Sequence, residues 1–309
     1  MRYRPFGSTG AAISNITLSL GIDAVSRGPE AAAELIYAAL EAGINSYRLE
    51  SADPVLAEVV GHALSSVERK LLIVSLTLGR RDGRRQDMDR DFSAEAITHA
   101  IDRALHVSGL GWIDVALLER PGEHELPQSS LNALKALRRT QRVRFLGVFG
   151  DDEVMDAYVS TGAFDVIATP SNVNSSWKVR ARIRAAQEQD MAVMAYDYFP
   201  EALNSRKKAT TLNEPKKGLF GFGGGPKRAK DDPLAGAGTF AFLHETPHWD
   251  AESICLAHVM NDPAVATVLV QARDIPRLEA LSKIPDRDMP PGLSAQIEMA
   301  RVGAANKVA

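Results

Sequence analysis

Two periods of apolar residues alternate along the chain. Short, continuous apolar runs rich in β-branched residues fall at Ile16–Leu20, Ile44–Leu49, Leu71–Thr77, Trp112–Leu118, Val143–Val148, Phe164–Thr169, Met191–Tyr196 and Val265–Val270. Runs of this length and type predict strands buried on both faces, as in a parallel sheet. Between them the apolar spacing lengthens to the helical period. Pro29–Ala42 puts Ala33, Ile36, Tyr37 and Leu40 on one stripe, and Val55–Leu64 follows. In Ser93–Leu105 a capping serine precedes Ala96, Ile97, Ala100, Ile101 and Leu105. Further helices are predicted at Ser129–Leu137, Asp152–Ser160, Trp177–Gln189, Ala251–Met260 and Ile275–Ser282. Strand–helix units repeated eight times within 309 residues predict one α/β domain, a (β/α)8 TIM barrel. A doubly wound sheet is the alternative, but no glycine fingerprint follows the first strand.

Composition narrows the function classes. The formal net charge of −3 lacks the basic excess of a dedicated nucleic-acid binder. The single cysteine, Cys255, excludes an internal disulfide, fits a reducing compartment and reads as a buried apolar residue. The first residues, MRYRPFGSTG, carry no apolar core of the signal-peptide kind, and no run approaches the ~20 apolar residues that span a bilayer. A cytoplasmic protein without membrane insertion is expected. The histidines show no ligand spacing, since His244 and His248 flank Pro247 in an expected loop, so no metal site is predicted.

Two segments break the pattern. Arginines between Arg80 and Arg90 alternate with aspartates, as in a solvated loop or an anion or partner patch. A basic, glycine-rich insertion is placed at residues 204–235. Within it, Arg206–Lys230 holds eight Lys or Arg against one acid, Glu214, together with Phe220, Phe222 and Gly223–Gly225. Such a loop is either a disordered surface segment or a phosphate-reaching or partner-binding one.

MRYRPFGSTGAAISNITLSLG, ALEAGINSYRLE, DFSAEAITHAIDRAL, WIDVALLERP, RVRFLGVFG, GAFDVIATPSNV, AVMAYDYFP and VATVLVQARDIPRLE together resemble the aldo-keto reductase family. The resemblance implies one barrel over residues 1–309, opened by an amino-terminal β-hairpin. It also implies a catalytic tetrad, which this sequence does not carry. Family members reduce carbonyls with an Asp, a Tyr, a Lys and a His. The matching positions here hold Arg48, Asp53, Thr77 and Glu119. The family's Tyr donates the proton and is tuned by the Lys, itself paired with the Asp. Neither Asp53 nor Thr77 supplies that chemistry. Arg48 and Glu119 are expected at strand ends on the barrel mouth, where they pair across it or face solvent.

The cofactor signal is mixed. The resemblance places Tyr196 where an aromatic stacks on nicotinamide, although a strand-end tyrosine packed into the core reads the same way. The carboxamide-binding Ser–Asn is replaced by Phe149–Gly150, and the Gln of the sixth strand by Ala168. Arg273 and Arg277 stand at the adenosine end, either for the nucleotide or as solvated helix-start charges. Asp274 there would repel a 2′-phosphate and favour NAD over NADP. The degenerate tetrad is similar to that of KidO-like oxidoreductase homologues that regulate bacterial cell division. That implies a pseudoenzyme sensing NAD(H) through protein partners, with the division GTPase FtsZ and a histidine kinase as the expected ones. The alternatives are an active NAD(P)H-dependent oxidoreductase with Glu119 or Asp53 as an atypical acid, and a small-molecule sensor using no nucleotide.

Overall fold

The eight apolar runs pair edge to edge until the last meets the first. A computed structural model describes residues 1–79, 90–203 and 238–305. The insertion expected at 204–235, and the arginine-rich stretch up to residue 89, lie outside the described residues. An antiparallel hairpin, β1 (Tyr3–Pro5) and β2 (Ala12–Ser14), opens the chain. The barrel strands are β3 (Ile16–Leu20), β4 (Ser46–Leu49), β5 (Ile73–Leu78), β6 (Ile113–Glu119), β7 (Val143–Phe149), β8 (Val166–Pro170), β9 (Ala192–Tyr196) and β10 (Val265–Val270). They run parallel in chain order, and β10 closes the ring on β3 through Val268 opposite Ile16. The predicted strands are all present, with ends displaced by up to two residues. The expected barrel is the observed one.

The helices are α1 (Ile22–Val25), α2 (Pro29–Glu41), α3 (Pro54–Leu64), α4 (Ala94–Ser108), α5 (Gln128–Arg139), α6 (Val154–Ser160), α7 (Trp177–Glu188), α8 (Ala251–Asn261), α9 (Ile275–Ser282) and α10 (Leu293–Ala305). Side chains that start several of them satisfy the first free amides: Ser93 accepts from Ala96 N, Ser176 from Val179 N and Asp250 from Ser253 N. No helix among the described residues is long and apolar enough to cross a membrane.

Alternation along each strand divides the core in two. Residues such as Leu18, Tyr47, Leu76, Leu118 and Val148 face the helices in the outer layer. Val115, Leu117, Val166, Met194 and Leu269 fill the barrel interior, with Phe6 and Ile13 of the hairpin packed among them. Phe6 meets Phe145 edge to face with centroids 6.3 Å apart, which plugs the N-terminal end of the barrel. Arg4 fastens the hairpin by donating to the carbonyls of Met260 and Asp262 at the end of α8 and of Val265 at the start of β10. The hairpin therefore closes the barrel interior at this end.

Candidate functional site

At the C-terminal end of the barrel the same alternation decides which residues face inward. Tyr47 and Leu49 face the helices, so Arg48 between them faces the interior. Register pairs Ser19 with Arg48, Thr77 with Leu117, Glu119 with Phe149, and Phe149 with Ala168. Arg48 and Glu119 are both buried, at 6% and 9% exposure, so neither is a solvent-facing rim charge.

Arg48 is held on several sides. Its Nε donates to Thr77 Oγ1 at 3.0 Å and its Nη1 to Ser19 Oγ at 3.3 Å. The same Nη1 lies 3.5 Å from Glu50 Oε1, and that carboxylate also accepts from Gln271. Glu50, on the same strand end, is thus one carboxylate that pairs with Arg48. The guanidinium plane lies over the Phe149 ring, 4.4 Å from its centroid. Phe149 in turn lies flat on Tyr196, with centroids 4.3 Å apart and planes 10° from parallel. Three planar groups therefore stack across the mouth in the order Arg48, Phe149, Tyr196.

Tyr196 is largely buried at the strand end. Among the described residues its buried hydroxyl has no hydrogen-bond partner, and burial, then the charges of Asp151 and Asp197, push its pKa well above the usual phenol value. Asp151 accepts from Arg120 Nη2 at 2.7 Å. Burial, then the Asp151 charge, raises the Asp197 carboxyl above the ordinary range, against the pull of Arg120. Arg120 and Asp197, the residues next after β6 and β9, both adopt left-handed backbone, at φ 49° and 51°. Side chains rarely take that conformation, and such strain concentrates at functional rims.

Asp53 stands apart from this cluster. Its side chain caps α3 by accepting from Leu56 N at 3.0 Å. Its oxygen is used to satisfy a helix amide, which counts against the reading of Asp53 as an atypical acid.

The other expected ligand residues gather beside the mouth. A cleft of about 1630 Å³ is lined by Ser19, Gly21, Arg27, Arg273, Asp274 and Arg277, among others. Ser19 belongs both to this wall and to the contacts of Arg48. Arg277 is already engaged: it pairs with Glu252, which also accepts from the Tyr198 hydroxyl at 2.7 Å. Asp274 caps α9 by accepting from Arg277 N at 2.9 Å. Arg273 is exposed. Cationic groups that could face a nucleotide phosphate are present, but acids flank them. Among the described residues no group of three His, Cys, Asp or Glu is placed to hold a metal ion.

These residues do not fit a nicotinamide ring. The ring needs an open aromatic face and polar partners for its carboxamide. Phe149 covers one face of Tyr196, and Gly150 and Ala168 offer no side-chain donor or acceptor. Sequence reasoning registers Phe149 only as a lost polar residue. That it turns inward onto Tyr196 follows from its strand parity, a signal available in the sequence but not used.

Residues 17–290 match the aldo/keto reductase family. No curated protein matches the sequence. Among solved structures the chain is similar to the aldo-keto reductase AKR11C1 from Bacillus halodurans in its holo form. The identity is 18%, the TM-score 0.72, and the match covers 97% of this chain and 96% of that one.

Proposed function

The chain belongs to the aldo/keto reductase family, and we propose that it is a member that no longer reduces carbonyls and acts by binding. The observation that carries this reading is Arg48, buried and 3.0 Å from Thr77, where the family resemblance puts an Asp–Lys pair. Carbonyl reduction needs a proton donor tuned close to the working pH. Here the tuning pair is Arg and Thr, Asp53 is a helix cap, and the phenol of Tyr196 is made a weaker acid. Family members generally bind NAD(P)H. Asp274 at the cleft rim favours NAD(H) over NADP(H), because its carboxylate would repel the added phosphate. A fold kept without its acid suits a regulator working through protein partners. The KidO-like resemblance makes FtsZ and a histidine kinase the first partners to test.

The deciding experiment is oxidation of NADH and NADPH against a panel of aldehydes and ketones. No turnover is expected. A kcat of about 1 s⁻¹, at the lower end of the usual range for enzymes, would overturn the proposal. It would favour the second reading, an oxidoreductase with Glu119 as its acid. Glu119 is the candidate because it faces the mouth and is 9% exposed.

A further inference from the structure

The stack at the mouth bears on what kind of nucleotide the cleft reads. Tyr196 is the aromatic on which a flat ring would rest at this end of the barrel, and one face of it is taken by the chain's own Phe149, 4.3 Å away and within 10° of parallel. A ring ligand on that face must first displace Phe149. The side chain has little room to leave, being 9% exposed and closed from its far side by the Arg48 guanidinium. Arg48 is itself fixed by Thr77, Ser19 and Glu50. Beside the seat, Gly150 and Ala168 themselves offer an amide substituent no side-chain partner. The cleft along Ser19, Arg27, Arg273 and Asp274 is not covered by this stack.

We infer that Phe149 is a specificity-determining residue that keeps the nicotinamide ring out of its seat, so that the cleft reads the adenosine diphosphate part of a dinucleotide and is blind to its oxidation state. The inference rests on the reading that the barrel binds without hydride chemistry, and it goes further. A protein of this kind reports nucleotide level and does not distinguish the reduced from the oxidised form.

The test is calorimetric titration of the full chain with ADP-ribose, NAD⁺ and NADH. In the wild-type protein the three are expected to bind within about threefold of one another, because the ring adds no contact. Phe149→Ser opens the face of Tyr196 and should tighten NAD⁺ and NADH by about tenfold relative to ADP-ribose, the scale of one gained ring contact. Phe149→Tyr keeps a ring in place and should retain the wild-type ratios. Wild-type binding of NADH about tenfold tighter than ADP-ribose would overturn the inference, and this arm needs no variant to fold. A folded Phe149→Ser protein with unchanged ratios would also overturn it, as would a wild-type protein that binds none of the three. These outcomes leave the non-catalytic reading standing, because only turnover of a carbonyl removes that.

Discussion

At the scale of single residues, the exchange of Asp and Lys for Arg48 and Thr77 has kept a contact and changed its chemistry. Thr77 accepts a hydrogen bond from a cation where the family resemblance places a Lys that would itself be the cation. Thr77→Lys should therefore set two cations against each other in a buried site. Arg48→Asp should leave a carboxylate facing Glu50. Each single change is expected to cost about 3–5 kcal/mol, the scale for an uncompensated buried charge. Together they restore an opposite-charge pair, and the double variant should recover about 0.5–3 kcal/mol of the summed loss. Urea unfolding of the four proteins measures this coupling, and strict additivity would show that the two side chains do not interact. Carbonyl reduction is not expected to return, because position 53 holds Asp where the resemblance puts the donor Tyr, and burial makes the nearby Tyr196 phenol a weaker acid. Cys255 gives a second residue-scale prediction. It is fully buried, and burial pushes its thiol up to about 12, with Glu252 and Asp250 adding to the shift. Thiol reagents should label it only after denaturation, and rapid labelling of the native chain would contradict its placement. Arg48, Thr77, Glu119 and Tyr196 were legible in the sequence because the family resemblance and the apolar runs put them near the ends of strands. The roles of Asp53 and Phe149 were not. A cap is recognised from where its helix starts, and a stack from two strands brought together by closure.

Among the elements, the strands were the most legible, because a barrel strand buried on both faces must be apolar throughout. Their ends were less so, since hydrogen bonding sets them. Arg69–Leu71 forms a short 3-10 turn, and β5 then starts at Ile73 instead of Leu71. The sequence pattern did not reveal α10. Its Leu293 and Ile297 are buried, but Met299 and Val302 are exposed, so its apolar residues form no single stripe. The close approach of α3 and α4 was also invisible. A Cβ on Gly61 would lie 2.0 Å from the Ser108 carbonyl oxygen, a backbone atom that cannot swing aside. Gly61→Ala should destabilise the fold by about 1–3 kcal/mol through overpacking, despite alanine's better helix propensity. Thermal denaturation checks this, and a stabilised variant would mean that the two helices slide freely. Another junction gathers on Asp114, 3% exposed, which accepts from Arg69, Val74 N and the Trp112 indole. Arg69 and Arg144 also lie over the Trp112 ring, 4.5 and 4.0 Å from its centroid. Asp114→Ala should cost about 3–5 kcal/mol, since it strands a partly buried guanidinium and an amide together. A loss below about 1 kcal/mol in urea unfolding would show that the cluster is solvated and carries little of the stability.

For the whole molecule, the amino terminus meets the segment that follows α9. The amino terminus pairs with Asp286 at 2.9 Å and Arg2 with Asp288 at 2.9 Å. Both pairs are exposed and worth little individually, whereas the bonds of Arg4 to three carbonyls are half-buried. α10 brings charge to α8 through Glu298 and Arg301. His258, on α8, is largely buried, and that burial lowers its pKa below the ordinary histidine value. Glu298 and Asp262 pull it back up, and Arg301 adds to the lowering. The unfolded chain, with a histidine pKa of about 6.5, therefore takes up this proton at a higher pH than the folded one. The associated stability is fully present above that unfolded value. It is lost as the pH falls below it towards the folded pKa, because the neutral imidazole must then compete with a protonated unfolded chain. The slope from this one group cannot exceed about 1.4 kcal/mol per pH unit. Urea midpoints taken between about pH 7.5 and pH 5.5 should fall for the wild-type chain, and fall less for His258→Asn. The difference between the two slopes isolates this residue from the carboxylates, which begin to titrate at lower pH. Equal slopes would mean that Glu298 and Asp262 fully offset burial, and that the contact between α8 and α10 is indifferent to protons in this range.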